Sequence, residues 1–207
     1  FVFNALNSST TYRYYIRANC GIDGYSDWAG PFTFTTFMTP AVAPWFEGFA
    51  TTSTPTGWTT STWNISSSIS QVPALDGNYI YKNLWGSNST GTISTISVMN
   101  IEEDYELKFN YLLADYSSYP AQPEANAVTI DVKISTDFGA TYTTIATLTN
   151  DGVTQGWQDY IYDLSDYVGE VIKVQLVATR TADDFMLAFD SFYIGSPVTC
   201  PTVSGVL

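Results

Sequence analysis

Histidine is absent from the sequence and basic residues are few, with 7 Lys and Arg against 20 Asp and Glu and a net charge of −13. Without histidine, the chain cannot use Ser-His-Asp or Cys-His catalysis, His-ligated zinc or an imidazole switch. The excess of acids argues against nucleic acid or an anionic membrane as a partner. No apolar run is long enough to cross a bilayer, so membrane insertion is not expected.

Charged residues make up only 13% of the chain, and no stretch of Ala, Leu, Glu and Lys recurs at a helical period. Aromatic residues, Thr and Ser are abundant instead, and the aromatic and β-branched types favour strands. Short apolar stretches separated by Gly, Pro, Asn and Asp predict ten strands after residue 44: 45–50, 57–63, 79–84, 92–98, 105–113, 127–135, 142–148, 157–164, 171–179 and 186–194. The pattern predicts an all-β fold, a two-sheet antiparallel jelly-roll sandwich, with a barrel as the alternative.

One predicted strand, 186–194, carries a single carboxylate, Asp190, among apolar residues. Strict alternation puts Phe192 and Ile194 on the face of Asp190 and Phe189 on the other, so both faces are apolar. A buried carboxylate needs hydrogen bonds, a cation or a metal ion. Glu47, in the first predicted strand of the sandwich, is the candidate partner, because two carboxylates brought together would bind Ca²⁺ well.

The two ends of the chain resemble pieces of fibronectin type III modules. Residues 1–36 hold the strand Tyr12–Ala18, the turn Ser26-Asp27-Trp28 and a closing Phe-Thr-Phe-Thr-Thr, in the order of the last third of such a module. Residues 37–44, with two prolines, are predicted to be a linker, and residues 197–207 to begin a following module. The chain is therefore interpreted as an internal piece of a longer secreted protein. Cys20 and Cys200 would each have lost a partner in their own modules, or they pair with each other.

The middle of the chain resembles the cleaved-adhesin domain, the jelly-roll module of gingipain and haemagglutinin proteins, which is akin to the MAM domain. The resemblance spans residues 45–196 and rests on five motifs in order: Pro-Trp-Phe-Glu-Gly-Phe at 44–49, Pro-Thr-Gly-Trp at 55–58, Leu-Asp-Gly-Asn-Tyr-Ile-Tyr at 75–81, Val-Lys-Ile-Ser-Thr-Asp-Phe-Gly at 132–139 and Leu-Ala-Phe-Asp-Ser-Phe-Tyr-Ile at 187–194. It implies a structural Ca²⁺ held by Glu47, Asp76 and Asp190, with Asn78 as a further donor.

Ser135 to Tyr142 fits the Asp-box pattern, which predicts a β-hairpin turn capped by Asp137 rather than a catalytic site. Acids that could pair for glycoside hydrolysis lie at predicted turns, in a loop or in one predicted strand, so an enzyme is not expected. Candidate ligand-binding aromatics lie near the ends of predicted strands or in the long loop 114–126: Trp85, Tyr116, Tyr119 and Trp157.

The sequence as a whole predicts a non-catalytic, calcium-stabilised adhesion or recognition module of a secreted or cell-surface bacterial protein. Its expected partners are host or matrix proteins or glycans, together with neighbouring domains of the same polypeptide. The alternatives are a carbohydrate-binding accessory domain of a larger secreted hydrolase or protease, and a spacer without a ligand.

Overall fold

The computed structural model describes residues 5–60, 62–117 and 119–197. The chain divides into two compact units, Phe1–Thr39 and Pro40–Leu207. Within the described residues the helical segments are two short 3-10 turns, Gly21–Asp23 and Ser165–Tyr167, and no helix there could span a membrane. The strands are β1 Thr11–Ile16, β2 Ala29–Thr35, β3 Ala41–Val42, β4 Trp45–Glu47, β5 Thr59–Thr60, β6 Asn64–Ser66, β7 Tyr79–Leu84, β8 Thr90–Ser94, β9 Val98–Met99, β10 Glu106–Asp115, β11 Val128–Ser135, β12 Thr143–Thr149, β13 Gln158–Asp163, β14 Lys173–Arg180 and β15 Phe185–Gly195.

The first unit is an antiparallel hairpin of β1 and β2. Cross-strand aromatic pairs stabilise it: Tyr12 stacks on Phe34 with ring centroids 5.6 Å apart, and Tyr14 meets Phe32 at 5.3 Å. Cys20 is exposed in the turn between the strands, whereas Cys200 and the predicted start of a second module lie outside the described residues. The fibronectin type III origin of both pieces stays a prediction.

The second unit is a sandwich of two antiparallel sheets. The first sheet has the order β13-β10-β15-β7-β6, with β4 also paired to β15, and the second has the order β12-β11-β14-β8-β5. A short parallel pair, β3 with β9, lies beside them. This arrangement confirms the predicted all-β, two-sheet antiparallel fold.

The main core fills the space between the sheets, and aromatic rings from several strands meet there. Phe192 is fully buried, and its ring contacts Trp58 at 5.0 Å and Phe109 at 5.3 Å between centroids. A second, smaller cluster lies on the opposite face of the first sheet: Val72, Tyr79, Leu112, Ala114, Met186 and Ala188. The alternation of β10 and β15 produces both clusters, because their odd-numbered positions from 107 to 113 and 185 to 189 feed the main core.

Of the described residues in the stretch predicted as one strand at 57–63, Thr59–Thr60 forms a strand and pairs with β8 in the second sheet. The next strand, Asn64–Ser66, begins after the predicted stretch and pairs with β7 in the first sheet. Thr62, at φ 59°, turns the chain between them. Trp58 and Trp63 flank this turn and both enter the core, 7% and 9% exposed, so the crossing buries two indoles.

We expect Phe192→Ala to lower the free energy of unfolding by about 3–5 kcal/mol, because the substitution leaves a cavity among packed rings. Phe46→Ala is the matched control: Phe46 is 61% exposed, and its loss should change stability by less than about 1 kcal/mol. Urea denaturation followed by tryptophan fluorescence measures both. Equal effects of the two substitutions would contradict the assignment of Phe192 to the core.

Candidate functional site

Strand β15 changes its neighbour at Asp190. Its first half pairs with β7, as far as Phe189 opposite Ile80, and its last residues pair with β4, beginning at Phe192 opposite Glu47. On its other edge, Asn110 of β10 lies opposite Asp190 and Lys108 opposite Tyr193, which leaves one extra residue on β15. The extra residue makes a β-bulge, and Ser191 within it has φ 53°.

The bulge overturns the predicted faces of this strand. Phe192 and Ile194 do not share the side of Asp190 but join Phe189 in the main core. Strict alternation fails because one inserted residue reverses the side on which every later side chain lies. Asp190 thus lies on the side of the first sheet away from the main core, at the gap between β4 and β7.

Asp190 is a fully buried carboxylate with incomplete hydrogen bonding. Its Oδ1 accepts a hydrogen bond from the Ser191 amide at 2.6 Å, while its Oδ2 has no protein partner. Burial raises the pKa of Asp190 to about 7; the backbone amides of Ser191 and Asp76 oppose this, and the charges of Asp76 and Glu47 add to it. An unpaired buried oxygen beside two further acids favours binding of a cation.

Glu47 and Asn78, on either side of this gap, both hydrogen-bond to the backbone of Phe49. Glu47, the last residue of β4, accepts a hydrogen bond from the Phe49 amide at 2.7 Å, and burial raises its pKa. Asn78, which immediately precedes β7, donates to the Phe49 carbonyl at 2.8 Å. Gly77 has φ 81°, a conformation that glycine adopts readily, and it turns the chain between Asp76 and Asn78.

The four predicted metal ligands therefore belong to one junction of β4, β7 and β15. Across residues 5–60, 62–117 and 119–197, no three Asp, Glu, His or Cys side chains lie close enough together to hold a metal ion. The donors are nevertheless the oxygens that Ca²⁺ prefers, and Asp190 Oδ2 is an oxygen without a partner. The donor atoms therefore fit a calcium ion in chemical type, but these side chains alone do not supply the six to eight oxygen ligands that the ion takes.

Two of the four aromatic candidates lie at one end of the first sheet. Trp85 follows Leu84 and Tyr116 follows Asp115, and both Leu84 and Asp115 are register partners of Phe185. Because β7 and β10 flank β15, the two backbones are roughly 10 Å apart. Trp85 is 52% exposed and Tyr116 45%. The two rings are thus exposed to solvent at the same end of the first sheet, which we call the rim.

Hydrogen bonds between loops anchor this rim. Asp184 accepts one from the Asn83 amide side chain at 2.7 Å, and its carbonyl accepts one from the Tyr116 amide at 3.0 Å. Gln71 donates to the Tyr116 carbonyl at 2.9 Å. Tyr119 is also exposed, farther along the same loop. The backbone under Tyr116 is therefore held from two sides while its ring remains accessible.

Trp157, the fourth aromatic candidate, packs into the protein. It meets the Tyr79 ring at 5.8 Å in an edge-on arrangement, and its indole donates to the Pro73 carbonyl at 2.9 Å. It is half-buried against the cluster on the outer face of the first sheet. The structure gives this side chain a packing role and separates it from Trp85 and Tyr116.

The Asp-box turn has the hydrogen bonds that its pattern predicts. Asp137 accepts from the amide and hydroxyl of Thr141 at 2.9 and 2.6 Å and contacts the Ser135 hydroxyl at 2.6 Å. The Ser135 and Thr141 hydrogen bonds lower the pKa of Asp137 to about 2. Its carboxylate is occupied in holding the hairpin, which confirms the structural interpretation of this motif.

The sequence analysis did not single out Lys82, which is a buried lysine. Lys82 is 2% exposed, burial lowers its pKa, and its ammonium donates to the Thr62 hydroxyl. It converges with Trp63 on Gly91, because a Cβ there would lie 2.8 Å from Lys82 and 2.9 Å from the indole. The signal was present in the sequence, since alternation along 79–84 puts Lys82 on the core face of Ile80 and Leu84.

Comparison with solved structures finds the same architecture. The K1 cleaved adhesin domain of Lys-gingipain from Porphyromonas gingivalis W83 matches with a TM-score of 0.52 and 13% identity, over 74% of this chain and 98% of that one. The K3 domain of the same protein matches with a TM-score of 0.50 and 12% identity, over 74% and 98%. TmCBM61, solved in complex with beta-1,4-galactotriose, gives a TM-score of 0.49 and 17% identity, over 72% and 94%.

At these identities the two adhesin domains, with TM-scores of 0.52 and 0.50, show a shared β-sandwich fold. No protein-family model matches the sequence, and no curated protein matches it either. The solved domains therefore support the predicted architecture, while the ligands of this chain have to be inferred from its own surface.

The junction predicts an unusual pH dependence of stability in the presence of a chelator. Because the pKa of Asp190 is raised from 3.8 to about 7, the folded protein retains a proton between these values that the unfolded chain releases. For this group the contribution to stability is therefore greatest below about pH 3.8 and is lost as pH rises to about 7, by on the order of 4 kcal/mol for the full shift.

Asp190→Asn should remove most of this slope, leaving the smaller contribution of Glu47, whose pKa is also raised. Asp166→Asn, an exposed acid in the Ser165–Tyr167 turn, is the control and should keep it. Chemical denaturation at several pH values between 4 and 8 measures the difference. The same slope in the Asp190 variant and the wild type would show that Asp190 is not protonated at neutral pH.

Proposed function

We propose that the second unit is a non-catalytic recognition module of a secreted or cell-surface protein, stabilised by calcium. The observation that carries the recognition role is the pair of exposed rings, Trp85 and Tyr116, on a rim anchored by loop hydrogen bonds. Exposed aromatics on a rigid base lose little conformational entropy on binding, so they suit contact with an extracellular protein or a glycan.

The state of the acidic residues supports a role without catalysis. Asp137 and Asp151 are committed to turn hydrogen bonds that lower the pKa of each to about 2, and Asp183 accepts from the Glu124 amide at 2.5 Å. General acid catalysis instead needs a carboxylic acid that keeps its proton near the operating pH. Asp190 has such a pKa, but it is wholly buried.

Calcium would act at the junction of β4, β7 and β15. Asp190 and Glu47 would supply carboxylate oxygens, Asp76 a third and Asn78 an amide oxygen, with backbone carbonyls completing the six to eight ligands that the ion takes. When bound, the ion supplies positive charge that offsets the mutual repulsion of these acids. These residues would then cross-link the first strand of the sandwich core to its last, which makes the ion structural.

We expect calcium to raise the melting temperature relative to chelator. An ion at 100 times its dissociation constant adds about 2.7 kcal/mol, which corresponds to roughly 5–10 °C in a unit of this size. The gain should be larger at pH 8 than at pH 5, because Asp190 must lose its proton to bind the ion. Differential scanning calorimetry on the wild type, Asp190→Asn and the control Asp166→Asn measures it. Equal melting with calcium and with chelator would refute the calcium proposal.

For recognition, we expect Trp85→Ala and Tyr116→Ala each to weaken binding by about tenfold or more, the usual effect of removing an aromatic anchor. Trp85→Phe keeps a ring and should retain most of the affinity, and Tyr15→Ala removes an exposed ring of the first unit and should have no effect. Arrays of extracellular matrix proteins and of glycans, followed by titration of the best ligand, provide the measurement. Silence on both arrays would indicate a spacer.

A further inference from the structure

A groove of about 390 Å³ lies on the outer face of the first sheet, beyond the bulge at Asp190. We call it the sheet-face groove. Outward-pointing residues of β4, β15, β10 and β13 line it, among them Phe46, Tyr193, Ser191, Lys108, Asn110, Asp159 and the exposed Ile161. The second hydrophobic cluster covers the same face on the other side of Asp190 and stops short of the groove. This half of the sheet therefore remains open.

Two rings, Phe46 and Tyr193, form one wall of the groove. Phe46 lies opposite Tyr193 across the β4–β15 pair, and its side chain is 61% exposed. A Cβ added to Gly48 would lie 2.8 Å from the Phe46 ring, and one added to Gly195 would overlap the Tyr193 hydroxyl. That hydroxyl donates to the Ser196 carbonyl at 3.0 Å. The Tyr193 ring is therefore positioned by its hydrogen bond, and the Phe46 ring occupies space that a side chain at position 48 would fill.

The polar groups of the groove are engaged with one another or, for Lys108, with an acid on the same strand. Asn110 donates to Asp159 across the β10–β13 pair, and Lys108 forms an ion pair with Glu106. An amide carries two donor hydrogens and an acceptor oxygen, so its bond to Asp159 leaves Asn110 further capacity for hydrogen bonding. With its lysine paired and a net chain charge of −13, the groove has no excess positive charge for an anion.

We propose that the sheet-face groove binds a neutral saccharide. A pyranose ring has an apolar face of C–H groups, which packs on Phe46 and Tyr193, and a rim of hydroxyls, which hydrogen-bond to Asn110, Asp159 and Ser191. The volume is within the range of about 300–1,000 Å³ common for small-ligand sites. An extended peptide adds to an open strand edge, whereas the groove lies on a sheet face whose backbone bonds are used within the sheet.

This site is separate from the rim of Trp85 and Tyr116. The rim lies at the Phe185 end of β15, and the groove at Ser191 to Tyr193, roughly 25 Å along the strand. The two surfaces can therefore be tested independently, and the groove holds its ligand whether or not the rim binds one.

Saturation-transfer NMR on the full chain in calcium tests the proposal with four neutral probes: cellotetraose, β-1,4-galactotriose, mannotriose and N-acetyllactosamine. Sialyllactose serves as the anionic comparison. We expect at least one neutral probe to bind, and Phe46→Ala and Tyr193→Ala each to weaken it at least tenfold. Tyr15→Ala, which removes an exposed tyrosine elsewhere, should leave the affinity unchanged. Thermal melting of each variant verifies that it is folded.

Gly48→Ala gives a second, independent variant, because it keeps every side chain of the groove but displaces the Phe46 ring; we expect it to weaken binding severalfold. The proposal is overturned if none of the four neutral probes binds at millimolar concentration, if only sialyllactose binds, or if binding survives all three groove substitutions. Loss of binding in Trp85→Ala alone would support the rim and overturn the groove. Loss in the groove variants alone would do the reverse.

Discussion

The structure of the second unit depends on how one buried carboxylate is accommodated. Asp190 has to be placed in the middle of a strand whose neighbours are almost all apolar, and burial makes its charge costly. The bulge at Ser191 lets that strand keep Phe189 and Phe192 in the core while turning Asp190 to the opposite side. The same inserted residue gives β15 two different neighbours, β7 and β4, and brings the ends of both to one point.

The two sides of the first sheet thereby acquire different roles. Toward the second sheet it presents aromatic residues that pack ring against ring. Away from it, the half before Asp190 is sealed by Tyr79, Met186 and their neighbours, and the half after Asp190 is left open. The bulge that turns Asp190 to this side of the sheet also sets Ser191 into the groove.

Much of this fold could be predicted from local pattern. The strand Tyr79–Leu84 was predicted with its observed bounds, and the other long strands differ from prediction by a few residues at their ends. Alternation failed where the backbone departs from regular strand geometry. The positive φ angles of Thr62, where the chain crosses from the second sheet to the first, and of Ser191 belong to residues other than glycine, so no sequence signal predicts them. The calcium role of Glu47 and Asp190 stays a prediction, which rests on an unpartnered carboxylate and a family resemblance. The groove depends on the register of four strands, which no local sequence pattern predicts.

The pairing of β4 with β15 also has a mechanical consequence. The two strands run antiparallel, with Trp45 opposite Ile194, so the residues that lead into the sandwich core and out of it lie side by side at one end. A pull on both would load the three residue pairs one after another, as in opening a zipper, rather than all at once in shear. Such an opening would have to withdraw Ile194 and Phe192 from the core before it reached Glu47 and Asp190. Under tension, the junction of Glu47 and Asp190 would be the last part of this strand pair to separate.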